Sequence, residues 1–180
     1  MTIPQPFPSP ISSPEAEKPL LRSTDSGYVL WIPGTPVPQP RHRTFRRGAI
    51  AVEVSRPIGS RAHRWDAQIC WSLARLGSSR CASAALALRE GPLAVKMIFS
   101  LPPLKGLKTR VWHWSLGDVD NYAKLVLDVL TKQGMLGGQD DKMVVQLEVM
   151  KTRDPRGCGV RVDVRRADGE VPDPLDGLVT

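Results

Sequence analysis

The stretch from Val119 to Gln133 carries the clearest periodic pattern in the chain, and it constrains the fold most. Its large apolar residues recur at intervals of three and four: Tyr122, Leu125, Val126, Val129 and Leu130. This spacing puts them on one face of an α-helix. Gly134 follows at once, and glycine is the residue best suited to end a helix. The sequence therefore predicts an amphipathic helix that closes at this glycine.

The segments around this helix predict a domain of mixed α and β structure. A second helix is expected over residues 60–76, where apolar side chains again recur at three and four. Runs typical of strands cover residues 28–32, 49–54, 93–101, 143–149 and 159–164. The expected order is β-β-α-β-α-β-β, an α/β (mixed α+β) fold with a mixed sheet.

Proline distribution sets the expected limits of the domain. Six of the 17 prolines fall within the first 19 residues, among serines and few large apolar groups. We therefore expect residues 1–26 to be a disordered arm. Residues 168–180 are acidic and contain two prolines, which favours a flexible tail. A single folded domain over 27–167 fits a chain of 180 residues.

Targeting features and cysteine usage favour a cytoplasmic protein. No apolar run approaches the roughly 20 residues that a membrane-spanning helix needs. The N-terminus lacks the basic start and apolar middle of a secretory signal. The three cysteines, Cys70, Cys81 and Cys158, show no CxxC spacing and cannot build a disulfide framework. Reduced thiols in a cytoplasmic protein are the simplest interpretation.

The chain is basic, and its arginines are concentrated. Lys and Arg number 25 against 18 Asp and Glu, a net charge of +7, which permits nucleic acid, an anionic membrane or another polyanion as partner. Between positions 41 and 64 one acid, Glu53, stands among seven arginines: Arg41, Arg43, Arg46, Arg47, Arg56, Arg61 and Arg64. We expect residues 35–48, which hold the first four of these arginines, to form an irregular basic loop. The concentration of arginines predicts contact with a DNA backbone. The alternative is a solvated charged surface.

Acidic residues at two places are candidates for chemistry. Asp118 and Asp120 stand at the start of the amphipathic helix, where helix capping alone would explain them. Asp140 and Asp141 precede the next strand, after a glycine-rich connector. Because that connector is long, the sequence alone does not place the second pair beside the first.

Together these acids form a pattern that resembles the RusA family of Holliday junction resolvases. The matching residues are Asp118-Val-Asp120-Asn121-Tyr-Ala-Lys124, then Asp140-Asp141 leading into a strand that ends in Lys151. The opening with Arg41 and Arg43 after a proline-rich strand end is also similar.

The resemblance implies a function and assigns roles. It implies a homodimeric hydrolase, an endodeoxyribonuclease that uses Mg²⁺ to cut Holliday junctions or other branched DNA in recombination and repair. Asp118, Asp120 and Asp141 would be catalytic and would bind the metal, and Asp140 competes with Asp141 for the third position. Lys124 would be the essential lysine, with ion pairing to Asp120 as its rival role. No small-molecule cofactor other than the metal is implied.

Other residues and other functions stay open. The basic residues expected on DNA are Arg41, Arg43, Arg46 and Arg47. His113, between Trp112 and Trp114, is a possible phosphate contact, whereas the tryptophans either stack on bases or pack at a strand end. The alternative functions are a non-catalytic DNA-binding module of the same fold, a phosphohydrolase of small nucleotides, and a flap or fork nuclease without junction specificity.

Overall fold

The computed structural model describes residues 18–40, 43–47, 50–54, 59–102, 111–112, 117–154 and 157–168. The strands are β1 (Leu20–Thr24), β2 (Gly27–Pro33), β3 (Arg43–Arg47), β4 (Ile50–Val54), β5 (Leu93–Leu101), β6 (Val111–Trp112), β7 (Val144–Arg153) and β8 (Gly159–Arg166). The helices are α1 (Arg61–Leu76), α2 (Ser78–Leu86) and α3 (Val119–Lys132), and a short 3₁₀ turn covers Asp141–Met143.

A mixed sheet forms the centre of the domain, as predicted. Its six strands follow the order β1-β2-β8-β5-β7-β6, and β3 pairs with β4 in a separate two-stranded sheet. Strand β7 runs parallel to β5, while the other pairings are antiparallel. A parallel pair needs a crossover connection, and the segment between β5 and β7 that contains α3 supplies it. The predicted class and the predicted order of seven elements are confirmed, with four further elements between and before them.

The core lies between one face of this sheet and the helices. Along β2, the buried Tyr28, Leu30 and Ile32 alternate with the less buried Val29 and Trp31. This period of two is the pattern of a strand with one face turned to the core. Helices α1 and α2 pack against β2, and α3 packs against β7 and α1. The apolar face of α3 therefore anchors the helix that carries Asp118 and Asp120 at its start to the core.

Helix α3 ends as its sequence predicts. Gly134 has a φ of +69°, in the left-handed region that favours glycine. Its N–H donates to the Thr131 carbonyl at 3.0 Å, and the Met135 N–H donates to the Leu130 carbonyl at 2.9 Å. These are the two hydrogen bonds of a Schellman motif. Met135 and Leu136 are then buried, so the chain turns back into the core directly after the helix.

The expected disordered arm is wrong for its last residues. Leu20–Thr24 form β1, which pairs antiparallel with β2 in a register that places Leu21 opposite Leu30. Leu21 is 1% exposed, and its carbonyl accepts a 2.6 Å hydrogen bond from Arg80 Nη2 on α2. Burial of this one leucine and pairing with β2 outweigh the proline-rich composition before it. Residues 1–17 of the arm and 169–180 of the tail lie outside the described residues.

Three further elements depart from the expected order. Arg43–Arg47, expected within an irregular loop, form β3 because their backbone pairs with β4; side-chain polarity carries no signal of that pairing. Helix α2 has no large apolar repeat, since its buried residues are the small Cys81, Ala84 and Ala85. Strand β6 has only two residues. Within the described ranges, no helix combines the length and the apolar character needed to cross a bilayer.

Two neighbouring leucines of β1 provide a test of its role. Leu21 is 1% exposed and Leu20 is 52% exposed. We expect Leu21→Ala to lower the free energy of unfolding by about 2–5 kcal/mol, the range for a buried leucine. Leu20→Ala should change it by no more than about 0.5 kcal/mol. Urea unfolding of both variants measures the difference, and equal stabilities would show that β1 is not part of the folded core.

Candidate active site

The start of α3 presents its acids to solvent. Asp118 occupies the N-cap position with extended backbone, but its side chain makes no capping hydrogen bond to the helix. Asp120 lies in the first turn, and Lys124 lies one turn further along the same side; Asp118, Asp120 and Lys124 are all exposed. Hydrogen bonding of its side chain to the helix N-terminus therefore does not account for an aspartate at position 118.

The loop that leads into the arginine-rich segment is packed on this helix start. The Gln39 N–H donates to the Asn121 carbonyl at 2.9 Å, in the first turn of α3. Gly117, just before the helix, has a φ of +75°, and a Cβ there would lie 2.7 Å from Pro38 Cγ. Only glycine meets both demands. Pro38 and Gln39 are thus packed on the start of α3, and Arg41 follows two residues later in the sequence.

The connector after α3 is held firmly against the body of the domain. The Met135 carbonyl accepts a 3.0 Å hydrogen bond from the buried Tyr28 hydroxyl. Gly137 touches the Leu88 backbone so closely that a Cβ would lie 2.6 Å from the Leu88 carbonyl oxygen. The Gln139 side-chain amide donates to the Leu88 carbonyl as well. These contacts fix the part of the connector that directly precedes Asp140 and Asp141.

The carboxyls of Asp140 and Asp141 interact with each other, and Asp141 lies within electrostatic reach of α3. A hydrogen bond between the two carboxyls is the main cause that raises the pKa of Asp141 and lowers the pKa of Asp140. Desolvation and the negative charges of Asp140 and Asp128 raise the pKa of Asp141 further, while Lys124 opposes the rise. The 3₁₀ turn that holds Asp141 also packs against α3. Two segments distant in sequence thus meet on one surface.

The donor chemistry of this surface suits a hard divalent cation. Carboxylates are the ligands that Mg²⁺ prefers, and Mg²⁺ commonly uses one or two of them together with water and substrate phosphates. Two carboxyl groups adjoin each other at Asp140 and Asp141, and the charge of Asp128 acts on Asp141 as well. Among the residues the structure describes, no three Asp, Glu, His or Cys side chains are grouped closely enough to hold a metal ion. The set of Asp118, Asp120 and Asp141 as joint ligands stays a prediction.

The remaining predicted residues fall into two groups. Arg43, Arg46 and Arg47 lie on β3, whereas Arg41 and His113 lie outside the described residues. Trp112 is described, at the sheet edge on β6, and is 58% exposed. Trp112 is therefore only partly covered at this strand end.

Two residues near the acids have positions that the sequence did not assign. Asp128 on α3 lies close enough for its negative charge to act on Asp141. Lys151, noted only as the end of a strand, donates to the Gly117 carbonyl at 2.5 Å. The four-residue spacing of Asp120, Lys124 and Asp128 indicates that Asp128 lies on the same side of the helix as the other two. For Lys151 the pairing of β7 with β5 was needed, which no local pattern reveals.

Comparison with known proteins confirms the family resemblance. A family model described as Endodeoxyribonuclease RusA matches residues 33–165. This range runs from the end of β2 almost to the end of β8, and it contains the candidate acids, Lys124 and the arginine-rich segment. No curated protein matches the chain.

Proposed function

The chain belongs to the RusA family of endodeoxyribonucleases, and from this premise we propose that it is a Mg²⁺-dependent nuclease that cuts four-way DNA junctions. The family itself indicates endonuclease activity on Holliday junctions. The metal dependence, the residues and the specificity are the parts that we propose for this chain. The reaction would be phosphodiester hydrolysis in DNA recombination and repair.

One observation carries the proposal beyond the family match. Asp141 lies within electrostatic reach of Lys124, although the two residues belong to different segments of the chain. A carboxylate pair and a lysine on one exposed surface can serve a reaction at a phosphate. The same surface begins at the helix start that holds Asp118 and Asp120, and it adjoins the loop at Gln39. A merely capped helix would not need these groups together.

The proposed roles follow from the charges. Asp118, Asp120 and Asp141 hold the cation, whose chemistry is to neutralise the phosphoryl oxygens and to make water more acidic. Lys124 carries the positive charge on the helix itself, where it compensates charge on the phosphate and orients the attacking water. Asp140 holds the carboxyl of Asp141 through their shared hydrogen bond. Three carboxylates without a cation would repel the phosphate.

The DNA partner and a dimer follow from charge and symmetry. The arginine-rich segment continues from the loop that contacts α3, so it would bring backbone contacts next to the acids. Resolving a four-way junction requires two cuts on symmetry-related strands. A homodimer with two-fold symmetry would supply two equivalent sites.

Two arginines test the DNA-binding assignment. We expect the double variant Arg41→Ala, Arg43→Ala to bind a four-way junction more weakly. The slope of log binding constant against log salt should become shallower by about two, one for each lost phosphate contact. Arg75→Ala is the matched control, since Arg75 stacks on Trp71 in α1, 4.8 Å from the ring centroid. Binding measured between low and high salt decides, and an unchanged slope excludes this segment from phosphate contact.

Substrate comparison separates the proposed function from its alternatives. A four-way junction, a fork, a flap and a linear duplex are incubated with the protein in Mg²⁺ and in EDTA. The proposal expects cutting of the junction in Mg²⁺ only. Binding without cutting would indicate a DNA-binding module, and equal cutting of fork and flap would indicate a nuclease without junction specificity. Turnover of a small nucleotide that junction DNA does not inhibit would indicate a phosphohydrolase.

A further inference from the structure

Lys151 occupies the point where β7 meets the start of α3. Its Nζ donates to the Gly117 carbonyl at 2.5 Å. The same ammonium lies 5.7 Å from the centroid of the Tyr122 ring, within the range of a cation–π interaction. Lysine is flexible and loses considerable side-chain entropy when it is held. Two simultaneous contacts, one with the Gly117 carbonyl before α3 and one with the Tyr122 ring on α3, therefore define one position for the ammonium.

Tyr122 provides a rigid side to this position. Its side chain is buried, 2% exposed, and its ring centroid lies 5.2 Å from that of Phe99 on β5. Phe99 is the register partner of Lys151 in the parallel pair of β5 and β7. Lys151 and Phe99 thus reach toward α3 from adjacent strands, and the sheet itself determines where the lysine stands.

The Gly117 carbonyl is a sensitive point for such a contact. It belongs to the peptide unit that contains the Asp118 nitrogen, and a peptide unit is planar. A donor that holds this oxygen therefore fixes the orientation of the backbone at Asp118. Gly117 has a φ of +75°, which glycine permits but does not enforce, so a donor to its carbonyl helps to hold this conformation.

We propose that Lys151 is a positioning residue for Asp118. Its ammonium holds the Gly117–Asp118 peptide and so orients the backbone that carries the Asp118 carboxylate, the group assigned above as a ligand of the cation. The inference rests on the proposed function, because Asp118 is assigned there as a ligand. A lysine that serves the reaction in this way affects the rate of the chemical step and leaves the binding of DNA unchanged.

The test compares Lys151→Met with two other variants. Methionine keeps an unbranched apolar stem, one atom shorter than that of lysine, and removes the charge and the donor. Lys151→Arg retains both, so it should restore most of the activity. Lys96→Met is the matched control, because Lys96 lies on the neighbouring strand β5 and pairs with Glu148 at 2.9 Å, away from α3.

Two readouts are measured on each variant. For Lys151→Met we expect kcat on a four-way junction to fall by about tenfold or more, since small misplacements of catalytic groups cost this much, with KM unchanged. We also expect faster amide hydrogen exchange in the segment 117–122. Lys96→Met should match the wild type in both. The thermal midpoint of each variant verifies that it is folded.

The outcomes separate this inference from the proposed function. Unchanged hydrogen exchange in Lys151→Met overturns the positioning role whether or not the protein is a nuclease. A raised KM with unchanged kcat also overturns it and makes Lys151 a DNA contact. If the wild type fails to cut any junction, the proposed function fails. Faster exchange in Lys151→Met alone would then still support the contact between Lys151 and the Asp118 backbone.

Discussion

Asp120→Asn is expected to abolish junction cleavage while leaving junction binding intact. The substitution removes one negative charge from the first turn of α3 but keeps the size of the side chain. Loss of a partner outside the metal's own ligand shell already costs 10–100-fold, so loss of a ligand should lower the cleavage rate by more than about a hundredfold. The basic segment is untouched, and binding depends on phosphate contacts. Single-turnover cleavage and binding in EDTA measure the two effects separately.

The control for this variant is another exposed aspartate. Asp25 stands in the turn between β1 and β2 and is exposed. Asp25→Asn makes the same change of charge outside the proposed site, so it should cut at the wild-type rate. If Asp120→Asn cuts normally, Asp120 is not a ligand. If both variants lose activity equally, the effect is one of overall charge and not of the site.

Asp141→Asn is expected to separate activity from stability. Cleavage should fall by more than about a hundredfold for the same reason as at Asp120. Stability should stay equal or rise. The pKa of Asp141 is raised in the folded protein, first by the hydrogen bond with Asp140, so the ionised carboxylate is less favourable in the folded state than in the unfolded chain. That cost is present at neutral pH and disappears as the pH falls through the raised pKa.

Asp140→Asn is the matched comparison because the pKa of Asp140 is shifted in the opposite direction to that of Asp141. The pKa of Asp140 is lowered, mainly by the hydrogen bond with Asp141. Its ionised form is therefore favoured in the folded state, and this contribution is lost as the pH falls through the lowered pKa. We expect Asp140→Asn to have no raised thermal midpoint and to keep more activity than Asp141→Asn. The reverse order of activities would make Asp140 the third ligand.

The fold could be predicted where large apolar side chains set the period. Helix α3 and its end at Gly134 follow from Tyr122, Leu125 and their repeats, and the structure agrees closely. Helix α2 could not be predicted in this way, because its buried side chains are small and give no periodic signal. Strand β1 was hidden by composition, since Leu21 is a single buried residue next to a proline-rich stretch.

The site was predictable in its residues but not in its arrangement. The motif from Asp118 to Lys124 stands in one segment, so its spacing alone places it on a helix start. The position of Asp141 depends on how the connector packs, and that is set by Gly137 against Leu88 and by the Tyr28 hydroxyl on Met135. These contacts join residues distant in the sequence. The role proposed for Lys151 depends likewise on strand pairing.

The central claim is that acids from two segments hold one divalent cation. The most direct measurement is calorimetric titration with Mn²⁺, which takes the same oxygen ligands as Mg²⁺, of the wild type, Asp120→Asn, Asp141→Asn and Asp25→Asn. We predict that the wild type and Asp25→Asn bind Mn²⁺ with equal affinity, and that either site substitution weakens binding by more than about tenfold. Wild-type affinity in Asp120→Asn or in Asp141→Asn would contradict a cation shared between the start of α3 and the turn before β7.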